Sequence, residues 1–227
     1  MSARAPKVSC HPCGDSFGVA PTPTCIVVLG IGNLLWADEG FGVRCIETLQ
    51  RRYEFADHVR LIDGGTQGLY LIQHVQEADA LLIFDAIDYG LAPGTLKEIR
   101  DDEVPRFMGA KKMSLHQTGF QEVLSLAQLT GKYPAHVLLI GCQPEQLDDY
   151  GGSLRPVVKA AMEQALTRAV QALANWGGQP RERQTPLERS EAVTLDELAL
   201  ADYEAQRPPE EAACRTGDER FLPRESS

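Results

Sequence analysis

Residues 25–53 read CIVVLGIGNLLWADEGFGVRCIETLQRRY. Cys25–Leu29 is a continuous apolar run, the pattern of a strand buried on both faces of a parallel sheet. A tight Gly30-Ile31-Gly32-Asn33 turn follows, and Gly40–Tyr53 then carries Phe41, Val43, Ile46 and Leu49 at helical spacing. Strand, glycine turn and amphipathic helix in that order open a βαβ unit.

The alternation continues outward from this stretch. Val59–Ile62 reads as a second strand, ended by Asp63-Gly64-Gly65, and Gly68–Val75 as a short helix. Ala80–Phe84 is a third strand, ended by Asp85, and Thr95–Ile99 a fourth, after the turn Ala92-Pro93-Gly94. Gly119–Leu129 is a helix, Val137–Ile140 a fifth strand ended by Gly141-Cys142, and Leu154–Ala174 a long closing helix. Pro156 falls in its first turn, where a missing N–H costs little. The expected class is α/β: a three-layer α/β/α arrangement with a mostly parallel, twisted five-stranded sheet flanked by helices.

Three regions differ in composition. Residues 1–23 are rich in Pro, Gly, Ser and Cys and read as a flexible leader; residues 24–176 hold the domain. Residues 177–227 contain no Lys but seven Arg and twelve Asp/Glu with repeated Pro, and read as a mostly disordered acidic tail. Within it, Thr194–Gln206 has the pattern of a short helix. Removing residues 178–227 is therefore expected to leave activity intact.

A formal net charge of −10, with no dense Lys/Arg cluster, argues against nucleic acid and against anionic membranes as partners. No apolar run approaches the roughly 20 residues that span a bilayer, and the leader lacks the apolar stretch of a signal peptide. A cytoplasmic protein, and a monomer, is expected. There the six cysteines need not pair. Cys10-His11-Pro12-Cys13 resembles half a zinc site, but no second pair stands at a matching spacing. Cys25, Cys45 and Cys142 lie in apolar segments and read as buried, inert thiols.

Three polar clusters fall where open α/β sheets hold ligands, off the carboxyl ends of the strands: Asp38-Glu39-Gly40 with the glycine turn, Asp85-Ala86-Ile87-Asp88, and Ser114-Leu115-His116-Gln117. Each residue has an ordinary explanation. Asp85 can cap a turn, Glu39 can complement a helix dipole, and His116 can be a hydrogen-bonded loop residue. Taken together, an imidazole and two carboxylates can bind a borderline divalent cation and leave positions open. Such a cation could polarise a scissile carbonyl; without one, paired carboxylates could share a proton and activate water. Gly30-x-Gly32 also resembles the start of a dinucleotide loop, with Asp63 as ribose partner, but Leu35 stands where the third glycine belongs. No nucleotide cofactor is expected.

The string GIGNLLWADEGFGVR at 30–44 resembles the N-terminal signature of the NiFe-hydrogenase maturation endopeptidases. The resemblance continues in DGGTQGLYL (63–71), LLIFDAID (81–88), APGTL (92–96), SLHQTGFQEVL (114–124) and LLIGCQPEQL (138–147). It covers residues 24–174; the leader and tail are longer than the family usually carries. The resemblance implies a hydrolase, an aspartic-type or metal-dependent peptidase that trims the C-terminal extension of the hydrogenase large-subunit precursor after nickel insertion. It implies that Glu39, Asp85 and His116 ligate the nickel carried by that precursor. Asp38, in the same motif, becomes a candidate catalytic or supporting carboxylate. Maturation chaperones are implied as possible further partners.

Overall fold

Ile26–Ile31 forms strand β1, buried along its whole length. The computed structural model describes residues 22–108, 115–187, 191–195 and 198–207. After β1 the chain makes a 3₁₀ turn, Ala37–Gly40, and enters helix α1, Phe41–Arg52. A short strand β2 (Tyr53–Glu54) precedes β3 (Val59–Gly65). A second 3₁₀ turn, Gly68–Leu71, leads into α2 (Ile72–Glu77), and β4 follows at Ala80–Ala86. Then come β5 (Leu96–Arg100), α3 (Glu103–Met108), α4 (Leu115–Leu129) and β6 (His136–Cys142). The long α5 spans Pro156–Asn175, β7 is Arg181–Glu182, and α6 is Leu200–Gln206.

The sheet order is β3-β1-β4-β6-β5. Strands β3, β1, β4 and β6 pair in parallel, and β5 closes the edge antiparallel to β6. The expected mostly parallel five-stranded sheet is the one observed. Alternate residues feed two cores. Ile26, Val28, Leu82, Phe84 and Ile140 pack with Phe41, Ile46 and Leu49 of α1 and with Val158, Leu166 and Leu173 of α5. Val27, Leu29, Leu81, Ile83 and Leu139 pack on the other face with Val75, Val104, Phe120 and Leu124. Burying one such aliphatic or aromatic side chain contributes roughly 1.5–3 kcal/mol. The continuous apolar runs therefore mark strands covered on both sides.

From β1 the chain crosses to β3 on one side, while β4 lies on the other. The connections diverge between β1 and β4, and at such a switch point a crevice opens off the carboxyl ends of the strands. The helix approaches closely here. A Cβ on Gly42 would stand 2.3 Å from the carbonyl oxygens of both Ile31 and Phe84, and one on Gly30 would stand 2.5 Å from the Gly42 carbonyl oxygen. The close-packing role that a third loop glycine would fill is met by Gly42, inside α1.

Several boundaries differ from the sequence reading. Strands β3, β4 and β6 run on through Gly65, Ala86 and Cys142, because ladder pairing does not stop where the apolar run stops. Helix α4 begins at Leu115 rather than 119, and α3 has no counterpart in the reading. Described residues beyond the expected boundary at 176 are bonded to the domain. The Gly178 N–H donates to the Leu173 carbonyl (2.8 Å), the Gly178 carbonyl accepts from the Ala56 N–H (3.0 Å), and the Arg183 N–H donates to the Arg52 carbonyl (2.8 Å). Strand β7 pairs antiparallel with β2, Tyr53 opposite Glu182 and Glu54 opposite Arg181. The described part of the tail is thus held by hydrogen bonds and ion pairs, which a search for apolar periodicity passes over. Cys10, His11 and Cys13 lie outside the described residues. Cys45 and Cys142 are buried free thiols as expected, whereas Cys25 is only half-buried.

Candidate active site

Gly32 makes the turn that carries the first cluster into the crevice. Its φ is +136°, and a Cβ there would stand 1.8 Å from the Glu39 carbonyl oxygen, so no side chain fits. Asn33 caps the turn, its Oδ1 accepting the Leu35 N–H at 3.0 Å. The Glu39 N–H donates to the Trp36 carbonyl at 2.9 Å.

The neighbouring acids Asp38 and Glu39 have different surroundings. Asp38 is fully buried, and its carboxylate accepts three backbone N–H groups: Glu145 (2.9 Å), Gln146 (2.9 Å) and Arg155 (2.7 Å). Its own N–H donates to the Gln146 carbonyl at 3.2 Å. Asp38 therefore ties the turn after β1 to the connection after β6 and to the residue just ahead of α5. A buried carboxylate is tolerated when its oxygens are satisfied in this way. Glu39 is half-buried; burial first, and repulsion from Asp148 second, push its carboxyl up to about 6.

Asp85 is fully buried at the carboxyl end of β4 and lies opposite Gly141 of β6. The bare Cα of Gly141 admits a phenol: a Cβ there would stand 1.8 Å from Tyr89 Oη. Burial, then the Asp85 charge and then Cys142, drive the Tyr89 hydroxyl well above its ordinary range, so it stays protonated. Lys97 of β5, also opposite Gly141, places its Nζ 5.3 Å from the Tyr89 ring centroid. Because Gly42 rests on the Phe84 carbonyl, the turn bearing Glu39 is held against the end of β4, next to Asp85.

His116 lies within the described part of α4. Its imidazole is outside the described side chains, and Ser114 is outside the described residues. The backbone places this end of α4 near the carboxyl end of β3, since a Cβ on Gly119 would stand 3.3 Å from the Gly68 Cα. His116 precedes Gly119 by three residues, about 4.5 Å of helix rise. Asp38, Glu39 and Asp85 thus lie off the carboxyl ends of β1 and β4, and the start of α4 lies toward the same end of the sheet. Among the described residues no group of three or more His, Cys, Asp or Glu side chains is arranged to hold a metal ion.

The residue missed by the sequence reading is Gln143. It is buried directly after β6, and its Oε1 accepts the N–H groups of Tyr89 (2.7 Å) and Leu91 (3.1 Å) while its Nε2 donates to Asp88 Oδ1 (3.0 Å). It fixes the loop that follows Asp85. A glutamine directly behind a buried strand end was the available signal. Asp63, weighed as a ribose partner, instead accepts the Gly65 N–H at 2.9 Å and closes its own turn. Cys142 is not a ready nucleophile: burial first, and Asp38 second, push its thiol up to about 12.

A doubly wound sheet with a crevice at its switch point is the frame of many α/β enzymes. The family model for HycI, hydrogenase maturation protease, matches residues 43–172, and the chain belongs to the hydrogenase maturation protease family. It is therefore a peptidase acting in hydrogenase maturation. The hydrogenase expression/formation protein HoxM of Cupriavidus necator is 68% identical over 200 residues, covering 88% of this chain and 99% of that protein. The hydrogenase 2 maturation protease of Escherichia coli is 43% identical over 160 residues, 69% of this chain and 96% of that protein. Among solved structures, the hydrogenase maturating endopeptidase HybD from Escherichia coli superposes with a TM-score of 0.67 at 41% identity, covering 70% of this chain and 98% of that one. Among the described residues no helix is long and apolar enough to cross a membrane.

Proposed function

We propose that this peptidase removes the C-terminal extension of a NiFe-hydrogenase large-subunit precursor after nickel insertion, and that the nickel in the precursor is its recognition signal. The observation that carries the reading is the position of Asp85, a fully buried carboxylate at the end of a central strand, beside the turn that presents Glu39. Burial and the nearby Asp148 charge raise the Glu39 carboxyl, and a cation would relieve that repulsion. Glu39, Asp85 and His116 supply two oxygens and a nitrogen, a set suited to a borderline divalent ion. The ion travels with the substrate, so these ligands occupy only its open positions. Precursor without nickel forfeits those bonds, and selection follows from that difference in affinity.

An ion held by Glu39, Asp85 and His116 would supply polarisation of the scissile carbonyl, and the flanking carboxylates would take the proton of the attacking water. Asp38 acts at one remove, holding the turn that aims Glu39. The reaction is assigned to the cytoplasm, a reducing compartment suited to the unpaired Cys45 and Cys142. The enzyme is taken to act as a monomer, with maturation chaperones as further partners.

The test offers nickel-loaded and nickel-free precursor side by side and follows the released peptide by mass spectrometry. Only the loaded precursor is expected to be cut. Asp85→Asn and His116→Ala are expected to slow cutting roughly a hundredfold or more with an unchanged circular dichroism spectrum. Equal cleavage of both precursors, or a normal rate from His116→Ala, contradicts the proposal.

A further inference from the structure

Six of the large apolar side chains exposed on the described surface follow the carboxyl ends of sheet strands. Leu35 and Trp36 follow β1, Leu69 and Tyr70 follow β3, Leu91 follows β4 and Tyr150 follows β6. Two of them form a built unit. The Trp36 and Tyr150 rings meet edge to face with centroids 5.4 Å apart, although Trp36 is 37% and Tyr150 46% exposed. Their backbones form an antiparallel bridge, and the Gly151 N–H donates to the Leu35 carbonyl at 2.7 Å. The ring pair is therefore fixed before anything binds. Rigid aromatic surface of this kind binds with little ordering cost.

The occupant follows from position. The Trp36 carbonyl accepts the Glu39 N–H, so the platform and the candidate carboxylate belong to one 3₁₀ turn. A polypeptide bound at Glu39 lies within one 3₁₀ turn of the ring pair. We propose that Trp36 and Tyr150 form a subsite that grips an apolar side chain of the precursor polypeptide beside the bond to be cut. This rests on the precursor reading above and adds a part of the substrate that the metal does not recognise. Contact there is made equally in the bound substrate and in the transition state, so it sets KM and leaves kcat alone.

The experiment measures kcat and KM for nickel-loaded precursor with the full-length protein and its Trp36→Ala, Trp36→Phe and Tyr150→Ala variants, alongside melting curves. The expected result is a KM raised about tenfold in each alanine variant, the size of effect seen at aromatic hot spots. The expected kcat lies within twofold of wild type, and Trp36→Phe recovers most of the loss. If Trp36→Ala melts early, Tyr150→Ala alone carries the comparison. A KM within twofold of wild type in the folded alanine variants overturns the subsite and leaves the precursor reading standing. So does a fall in kcat at unchanged KM, which would mean that the rings only brace the Glu39 turn. A wild-type protein that cuts no nickel-loaded precursor overturns both.

Discussion

The sheet and the strap formed by the described residues among 177–207 are held in place by opposite means. In the sheet, Ile26–Leu29 and Ala80–Phe84 are wholly buried, and stability comes from apolar area removed from water. In the strap, α6 has no buried residue, yet its surroundings are dense with polar ties. Arg44 Nη1 donates to Glu47 Oε2 at 2.8 Å and to the Leu198 carbonyl, while its guanidinium lies 5.3 Å from the Tyr203 ring centroid. The Leu200 N–H donates to Glu47 Oε1 at 3.0 Å. Glu204 accepts from Lys159 Nζ (2.8 and 3.0 Å) and from the Ser153 hydroxyl (2.8 Å). The difference teaches that a segment too polar to build a core can still be a fixed part of a domain. It needs an anchor such as the Arg44–Glu47 pair, which the domain itself buries.

Breaking each region separately sharpens the contrast. The largest effect is expected in the sheet. Leu82→Ala leaves a hole between α1 and α5 and is expected to cost about 3–4 kcal/mol, lowering the melting temperature by roughly 10 °C for a chain of this size. Arg44→Ala comes next. It leaves the buried Glu47 with Arg51 as its remaining ion-pair partner, at 3.3 Å. A loss of about 3 kcal/mol, the low end for breaking a buried pair, is expected. The damage is expected to be local: hydrogen exchange speeds up across 198–206 while the β1 and β4 amides stay protected. Equal exposure of both regions would show that the strap and sheet melt as one unit. The expectation that removing residues 178–227 leaves activity intact assumed a tail standing apart; the described ties mean that the truncation also removes contacts to Glu47 and Lys159.

The smallest effect is expected at Glu39, and it depends on pH. Its carboxyl is raised to about 6 in the folded state, against 4.5 ordinarily. The folded protein therefore holds more protons than the unfolded chain across that window, and stability falls as pH rises through it. Glu39→Gln is expected to raise the melting temperature by a small amount at pH 7.5, with the gain gone below pH 4.5, where both states are protonated. A constant gain at every pH would mean that the burial of the ionised Glu39 carboxylate, with the lesser repulsion from Asp148, is not its source.

The same contrast explains how much was legible in the sequence. The apolar runs announced the strands, and Asp85 stood out because a carboxylate closes the run LLIF. Gly30 and Gly32 were read as turn residues, and the geometry gives each a contact that excludes a side chain. The division of labour between Asp38 and Glu39 was hidden, since it depends on N–H groups more than a hundred residues away. Gln143 was hidden for the same reason: its partners at 88–91 are polar and distant in sequence. The antiparallel direction of β5 and the course of the strap leave no periodic trace. Long-range hydrogen bonding has none to leave.

The Asp38 tie also bears on when the enzyme can first act during its own synthesis. Its acceptor oxygens wait for donors at residues 145, 146 and 155. A ribosome-bound chain that has not yet released those residues carries Glu39 on an untethered loop. On the proposed reading, the turn that aims Glu39 is set only once residue 155 has emerged, so a copy terminated before that point is expected to stay inert toward its substrate.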